Sequence, residues 1–288
     1  MTSKKVIQPI IYLLNGAINV KPATGVLLVA PPGSGKSVLI RSIKGEGILF
    51  LDDFTASSID TIIENYENIR MIAVSDLNKV LARDIKSSPL SILLNLTEEG
   101  YVGSARYKDV KITEPKRISF VAGITTDKFL ESVDKLKATG LLSRMLLINY
   151  SYTDEERQEI MKERLRGFKL EEQDLGIRFQ PDLEQKPLSQ IAIKFIEDKI
   201  APLITDLRQF TRFQALVHSI GSIYSPDKEI ISQVVAFTAA LVETYSGVKS
   251  GNYERFLSAL KYWLKEVEPY EKAERGKTIF SSFNSVSD

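Results

Sequence analysis

The sequence has no cysteine among its 288 residues, and only one histidine and one tryptophan. The absence of cysteine excludes disulfide bonds, thiolate nucleophiles and cysteine-ligated zinc, and it is compatible with a reducing compartment. An excess of charge of either sign is also missing, because 38 basic and 37 acidic residues leave a net charge of +1. No overall field therefore attracts nucleic acid, and any such contact must come from local basic patches.

Long hydrophobic runs are missing as well. No run reaches the roughly 18 apolar residues that a membrane-spanning helix needs. The apolar stretch at residues 6–20 is interrupted by Gln8, Pro9, Asn15 and Asn19. We interpret it as a short helix or strand that packs at the edge of a domain rather than as a signal peptide. We therefore expect a soluble, cytoplasmic protein without a membrane partner.

The most informative segment that is present has eight residues. In order they are Ala30, Pro31, Pro32, Gly33, Ser34, Gly35, Lys36 and Ser37. An apolar run at 26–29 precedes the segment and a helical pattern at 37–43 follows it. This context of strand, loop and helix is typical of a phosphate-binding loop. The usual pattern begins with glycine, and Ala30 is the mildest departure from it.

The residue types in this loop suit the phosphates of a nucleotide. Gly33 and Gly35 allow positive φ angles, so that successive backbone N–H groups can converge on one anion, and the start of the next helix adds further N–H groups. Lys36 can contact the β- and γ-phosphates, and the Ser37 hydroxyl can ligate Mg²⁺. The expected cofactors are therefore ATP and Mg²⁺.

The rest of the chain divides into an alternating part and a helical part. Short apolar runs predict five strands, at residues 25–29, 47–51, 70–74, 117–122 and 144–150. Helical patterns separate them, which predicts an α/β fold with a parallel sheet, the layout of a P-loop NTPase core. The predicted organisation is a core at 1–166, a linker at 167–187, a helical cap at 188–272 and a disordered tail at 273–288.

Acidic residues follow two of the predicted strands. A nucleotide hydrolase needs an acid for Mg²⁺ and a group that orients water, both at carboxyl ends of strands near the loop. Asp76 follows the strand in the order expected for the metal side, whereas Asp52 and Asp53 follow the strand just after the loop helix. The alternatives are a helix N-cap for Asp76, and a solvated turn or an N-cap before Ser58 for the other two.

The order of these segments resembles AAA+ ATPases. It is most similar to the minichromosome-maintenance helicase type and to P-loop ATPases of phages and mobile elements. The segments that carry the resemblance are the loop and residues 51–55, 75–77, 123–125 and 141–144. The resemblance implies that Thr125 is the polar sensor near the γ-phosphate, that Arg144 is a finger entering a neighbouring subunit's site, and that Arg212 is the cap-domain arginine. An ordinary surface arginine is the alternative for Arg144.

The resemblance also implies a contact with DNA. Residues 100–112 alternate polar and apolar residues near glycines, which predicts a β-hairpin, and in the helicase branch an equivalent hairpin lines a central pore. The candidate DNA-binding residues are Arg106, Tyr107, Lys108 and Lys111. Aromatic and basic side chains of this kind bind single strands by stacking and charge. Simple solvation of an exposed hairpin is the alternative.

One departure from the family pattern concerns hydrolysis. The usual acidic pair, Asp followed by Glu, is absent, because Ser75 precedes Asp76 and Leu77 follows it. We expect an ATPase that assembles into a ring, expected to be a hexamer, or a filament and acts on DNA, as a helicase, loader or translocase alongside other replication or mobile-element proteins. The alternatives are a protein-remodelling ATPase of the MoxR kind, and an ATP-gated recruitment switch with weak hydrolysis.

Overall fold

The computed structural model describes residues 3–55, 58, 61–62, 68–78, 117–138, 140–167 and 169–271. Its contacts divide the chain into two compact units. The unit that we call the sheet unit consists of Ala17–Ser151 and Lys169–Pro181, and the helical unit consists of Met1–Gly16, Tyr152–Phe168 and Asp182–Asp288. These boundaries differ from the predicted ones at both ends of the core. The predicted hairpin with Arg106, Tyr107, Lys108 and Lys111, and the predicted tail, lie outside the described residues.

Within the described residues, five strands form one parallel sheet, so the predicted α/β class is confirmed. The strands are β1 Gly25–Ala30, β2 Ile48–Leu51, β3 Met71–Val74, β4 Ser119–Thr125 and β5 Met145–Asn149, in the spatial order β2-β3-β4-β1-β5. Every residue of β1 and β3 is buried. Strands that are covered on both faces need apolar side chains on both, which is why they were recognisable as continuous apolar runs.

Two helices cover opposite faces of this sheet. They are α2, Lys36–Arg41, after β1, and α3, Thr126–Ala138, after β4. Phe129 of α3 belongs to the same buried cluster as Ala122 and Ile124 of β4. Gly123, between those two strand residues, instead has Ile40 of α2 beside it. Because successive strand residues point to opposite faces, α2 and α3 lie on different sides.

This arrangement creates a topological switch point at the carboxyl ends of β1 and β4. From β1 the chain continues to β2 at one edge of the sheet, whereas from the adjacent β4 it crosses to β5 at the other edge. In open parallel sheets a crevice forms where connections diverge in this way, and ligands bind there. The loop after β1 therefore begins at the position in the fold where a ligand is expected.

The helical unit contains most of the remaining helices. Its helices are α5 Asp154–Leu165, α6 Gln190–Phe195, α7 Leu207–Tyr224, α8 Ser232–Tyr245 and α9 Tyr253–Glu271. A further helix, α1, spans Ser3–Ile18 and contributes its first residues to this unit, and α4, Leu141–Arg144, precedes β5 in the sheet unit. The helices α6 to α9 lie in the region after residue 188 that the sequence predicts to be helical, and the N-terminal apolar stretch forms a long helix. No helix of the described residues is long and apolar enough to cross a membrane.

The segment predicted as a linker contains packed structure. Leu170, Ile177 and Phe179 are buried, and residues 169–181 belong to the sheet unit. The backbone N–H of Lys44 donates to the Ile177 carbonyl, and that of Phe179 donates to the Lys44 carbonyl. The sequence predicts a linker here, because the isolated apolar residues of this polar stretch follow neither the spacing of a helix nor that of a strand.

Candidate nucleotide-binding site

The segment from Ala30 to Lys36 forms the connection predicted between strand and helix. β1 ends at Ala30, and α2 begins at Lys36. Gly33 and Gly35 have φ angles of 76° and 87°, in the left-handed region that glycine adopts without strain. No atom lies within 4 Å of a Cβ added at Gly33, so glycine is needed there for its backbone conformation rather than for space.

A buried tyrosine stabilises this loop through a hydrogen bond. The Tyr150 side chain is fully buried, and its hydroxyl donates a hydrogen bond to the Ser34 carbonyl at 3.2 Å. Its backbone N–H donates to the Val29 carbonyl in β1, and the Ser34 hydroxyl closes the loop on the Pro31 carbonyl at 2.6 Å. The sequence reasoning missed Tyr150, because an aromatic residue at the end of a buried strand looks like ordinary core.

Lys36 lies folded over the loop that precedes it. Its Nζ donates to the carbonyl oxygens of Ala30 at 2.7 Å and Pro31 at 2.9 Å, and only 8% of the residue is exposed. Burial lowers the pKa of the Lys36 ammonium, and the charge of Asp76 partly opposes this shift. The ammonium is therefore held at the loop by neutral acceptors, which a phosphate can replace with stronger, charged ones.

The predicted metal-side acid, Asp76, lies near this lysine, because its charge acts on the Lys36 ammonium. Ser37 is exposed, and its hydroxyl donates to the Ser75 carbonyl at 3.5 Å, directly before Asp76. One oxygen of Asp76 accepts the backbone N–H of Asn78 at 2.9 Å, so the cap-like contact considered for this residue is also present. Ser37 and Asp76 thus belong to neighbouring parts of one site.

The position of this acid depends on a glycine in β4. The Leu77 N–H donates to the Gly123 carbonyl at 2.7 Å, and a Cβ added at Gly123 would lie 2.7 Å from the Ser75 carbonyl oxygen. That separation is below any that real Cβ atoms show. Gly123 therefore allows the end of β3 to approach β4 closely enough to meet Ser37.

Asp52 and Asp53 are less central than Asp76. Asp52 is exposed, and it accepts from the guanidinium of Arg41 at 3.1 Å and from the Ser75 hydroxyl at 3.4 Å. Asp53 accepts the N–H of Phe54, the residue after it. Among the described residues that follow, Thr55 and Ser58 make reciprocal hydrogen bonds with each other.

The three residues implied by the family resemblance lie in different places. Thr125 is the last residue of β4 and pairs in register with Ala30, so it lies beside the start of the loop. Arg144 precedes β5, whose first residue pairs with Gly25 at the amino end of β1. Arg144 is thus separated from its own loop by the length of β1, roughly 17 Å. Arg212 is part of α7 in the helical unit, and its role stays a prediction.

The donors at this site fit a magnesium ion that arrives with a nucleotide. No group of three or more acidic or histidine ligands occurs in the described part of the chain. Mg²⁺ keeps several water ligands and commonly takes one or two protein oxygens besides substrate phosphates. The exposed Ser37 hydroxyl and the Asp76 carboxylate supply a set of that size and chemistry.

Comparisons of the chain with models of protein families, with curated proteins and with solved structures found no match.

Proposed function

We propose that this chain is an ATP hydrolase of the AAA+ type that assembles with further copies of itself and acts on DNA. One arrangement carries the proposal. The loop leaves β1 at the switch point and leads into α2 with Lys36 and Ser37, while Asp76 follows β3 and Thr125 is the last residue of β4. A loop of this kind, an acid and a polar residue at that edge are the parts that phosphoryl transfer to water requires.

Each of these residues has a defined task in the proposed reaction. The backbone N–H groups of residues 33–37 bind the phosphates, and Lys36 exchanges its two carbonyl partners for phosphate oxygens. Ser37 and Asp76 would hold Mg²⁺, which when bound neutralises charge that develops on the phosphate oxygens. Thr125 orients the attacking water.

Assembly enters the proposal through Arg144. A guanidinium near the transferring phosphate stabilises the charge that grows there, and it does so strongly where its effect has been measured. Arg144 lies at the amino end of the sheet, so it cannot reach its own loop at the carboxyl end. The proposed task therefore requires a second subunit, and hydrolysis would depend on a ring or filament of subunits.

The nucleotide site is tested by Lys36→Ala, with Lys137→Ala as the matched control. Lys137 is exposed on α3, so its loss changes the net charge equally without touching the loop. Loss of the phosphate contacts of Lys36 is expected to cost about 2–4 kcal/mol of binding free energy, or roughly 30- to 1,000-fold in affinity. Titration with a fluorescent ATP analogue measures this. Parental affinity in Lys36→Ala would contradict the proposal.

The bound metal is tested by Ser37→Ala, with Ser42→Ala, directly after the same helix, as the control. The Ser42 hydroxyl donates to the Leu39 carbonyl and is not part of the site. We expect Ser37→Ala to need a higher Mg²⁺ concentration for half-maximal ATP binding, whereas Ser42→Ala should follow the parent. Equal Mg²⁺ dependence in the two variants would remove Ser37 from the proposed ligand set.

DNA as the substrate is supported by the resemblance and by the basic and aromatic residues at 101–111. The test is ATP turnover and retention of the protein with and without single-stranded DNA. Stimulation of turnover together with retention is the expected result. Turnover without either effect would favour a protein-remodelling ATPase, whose partner is a polypeptide.

A second candidate function, an ATP-gated switch with weak hydrolysis, is favoured by a specific observation. Glutamate does not follow Asp76, one oxygen of Asp76 is engaged by the Asn78 N–H, and Asp52 is paired with Arg41. Firm ATP and DNA binding with negligible turnover would favour the switch over the motor.

A further inference from the structure

A second acidic residue is connected to the proposed metal position. Asp52 directly follows β2, and one oxygen of its carboxylate accepts a hydrogen bond from the Ser75 hydroxyl at 3.4 Å. The Ser75 carbonyl in turn accepts a hydrogen bond from the Ser37 hydroxyl at 3.5 Å. Asp52 is therefore linked through one residue to the hydroxyl that is proposed to ligate Mg²⁺. All three residues belong to the sheet unit.

The same oxygen of Asp52 also accepts a hydrogen bond from a cation. The guanidinium of Arg41, the last residue of α2, donates to it at 3.1 Å. This ion pair is open to solvent, because 64% of the Arg41 side chain and 76% of the Asp52 side chain are exposed. Exposed ion pairs contribute little free energy and are easily separated. The contact with Arg41 is therefore one that a second cation can replace.

The ion pair lies beside open space. A cavity with a volume of about 420 Å³ is lined by Arg41, Phe50 and Asp52 among the described residues. Phe50 is itself 45% exposed. Because the Asp52 side chain is largely exposed and borders this space, its carboxylate can change rotamer without displacing buried side chains. Water has room to enter beside it.

A magnesium ion at Ser37 needs acceptors for its water ligands. Mg²⁺ keeps several waters when it is bound through one or two protein oxygens and substrate phosphates. Groups that accept hydrogen bonds from the ligands of a metal orient those ligands and increase the affinity for the metal. We propose that Asp52 accepts hydrogen bonds from the waters of the nucleotide-bound Mg²⁺, and that Arg41 competes with the hydrated ion for this carboxylate.

The inference rests on the proposed function, because the metal arrives with the nucleotide. It adds a control on the same site. Arg41 does not touch the metal or the nucleotide in this scheme, and it acts only by holding Asp52 away from the ion. The Mg²⁺ concentration at which ATP binds is consequently set by two cations that compete for one carboxylate, the guanidinium and the hydrated metal.

The test measures the Mg²⁺ concentration that gives half-maximal binding of a fluorescent ATP analogue to the full chain. Asp52→Asn should raise this concentration about tenfold, at the lower end of the range for residues that orient metal ligands. Arg41→Ala removes the competitor and should lower the concentration by up to about fivefold, because an exposed ion pair is weak. Both residues are exposed, so both variants should unfold at the parental temperature.

The helical unit supplies a matched ion pair as the control. Arg157 and Asp154 lie 3.2 Å apart, and their side chains are exposed to a similar degree as those of Arg41 and Asp52. Asp154→Asn and Arg157→Ala remove the same charges outside the site. Both should keep the Mg²⁺ dependence of the parent.

The double variant Arg41→Ala/Asp52→Asn separates competition from a general change of charge. If Arg41 acts through Asp52, its removal has no further effect once Asp52 is asparagine. If Arg41 repels Mg²⁺ merely by its charge, its removal lowers the required concentration equally with Asp52 or with asparagine at this position. That second result would overturn the competition.

Two further results would also overturn the proposal. One is a parental Mg²⁺ dependence in both Asp52→Asn and Arg41→Ala. The other is a loss of turnover in Asp52→Asn at saturating Mg²⁺ without any change in Mg²⁺ dependence, which would assign the carboxylate to the attacking water. Failure of the proposed function itself looks different. In that case the parent does not bind the ATP analogue, or Lys36→Ala binds it equally well, and both proposals are removed.

Discussion

Gly123→Ala should slow ATP turnover without weakening ATP binding to the same extent. The added methyl group lies 2.7 Å from the Ser75 carbonyl oxygen, which is 0.7 Å less than the 3.4 Å of an ordinary contact. The Ile40 side chain also lies 3.2 Å from the methyl group, which is itself a tight contact. The backbone at Ser75 must therefore shift, and Asp76 shifts with it.

The magnitude follows from the size of this shift. Overpacking of a buried position costs about 1–3 kcal/mol of unfolding free energy. A misplacement approaching 1 Å at a reacting centre can reduce a rate by about 100-fold, so we expect turnover to fall by about 10- to 100-fold. The loop itself is connected to β1 and stabilised by Tyr150, so ATP affinity should change by less than about threefold, well under 1 kcal/mol.

Gly33→Ala is the matched control for this prediction. It adds the same methyl group where no atom lies within 4 Å, but at a φ of 76°, which costs an L-residue about 1–2 kcal/mol. We expect Gly33→Ala to weaken ATP binding, because the strained residue is part of the phosphate loop. Steady-state turnover and fluorescent-ATP titration of both variants separate the two effects. Parental turnover and thermal stability in Gly123→Ala would show that Gly123 does not position the acid.

Three further predictions concern other contacts. Tyr150→Phe removes the hydrogen bond to the Ser34 carbonyl. It should lower the unfolding free energy by about 0.5–1.5 kcal/mol in urea titrations and weaken ATP binding. If neither quantity changes, Tyr150 does not stabilise the loop. Burial raises the pKa of Glu156, although hydrogen bonds from backbone N–H groups lower it in part. The stability that this carboxyl contributes is therefore present below its unfolded pKa, and it is lost as the pH rises through its folded pKa. Glu156→Gln should therefore flatten the pH dependence of thermal unfolding in mildly acidic buffers, and an unchanged profile would contradict this assignment. The variants Lys36→Ala and Arg144→Ala should each be inactive alone but regain ATP turnover when they are mixed. Random assembly of the two variants gives about a quarter of interfaces in which both residues are intact. If the mixture co-assembles and turnover does not recover, the neighbouring subunit does not supply the arginine.

The strands and the loop were predictable because their signals are local. Residues 26–29 are continuously apolar, as a strand covered on both faces must be, and the two glycines and the lysine follow at the spacing that a loop around an anion requires. In the structure Thr125 is the last residue of β4, three residues beyond the predicted strand end, and Arg144 lies one residue before β5. Strand ends were correct to within a few residues.

Other features depend on contacts between residues that are distant in sequence. The support from Tyr150 to Ser34 spans 116 positions, and the contact between Ser37 and Ser75 spans 38. The segment at 169–181, predicted as a linker, is part of the sheet unit and buries Leu170 and Phe179. No local periodicity of the sequence predicts this burial. A cavity of about 340 Å³ within the sheet unit likewise joins Lys21, Arg70 and Arg117 from separate parts of the chain.

The division between the two kinds of information has a physical origin. Backbone conformation, burial on both faces of a strand and the φ angles of Gly33 and Gly35 follow from neighbouring residues, so the chain order alone specified the sheet elements and the loop. Packing determines the strand order, the approach of Ser75 to Gly123 and the grouping of charges at each end of the sheet. These features depend on the position of β4 between β1 and β3, because that position determines which strand ends lie side by side.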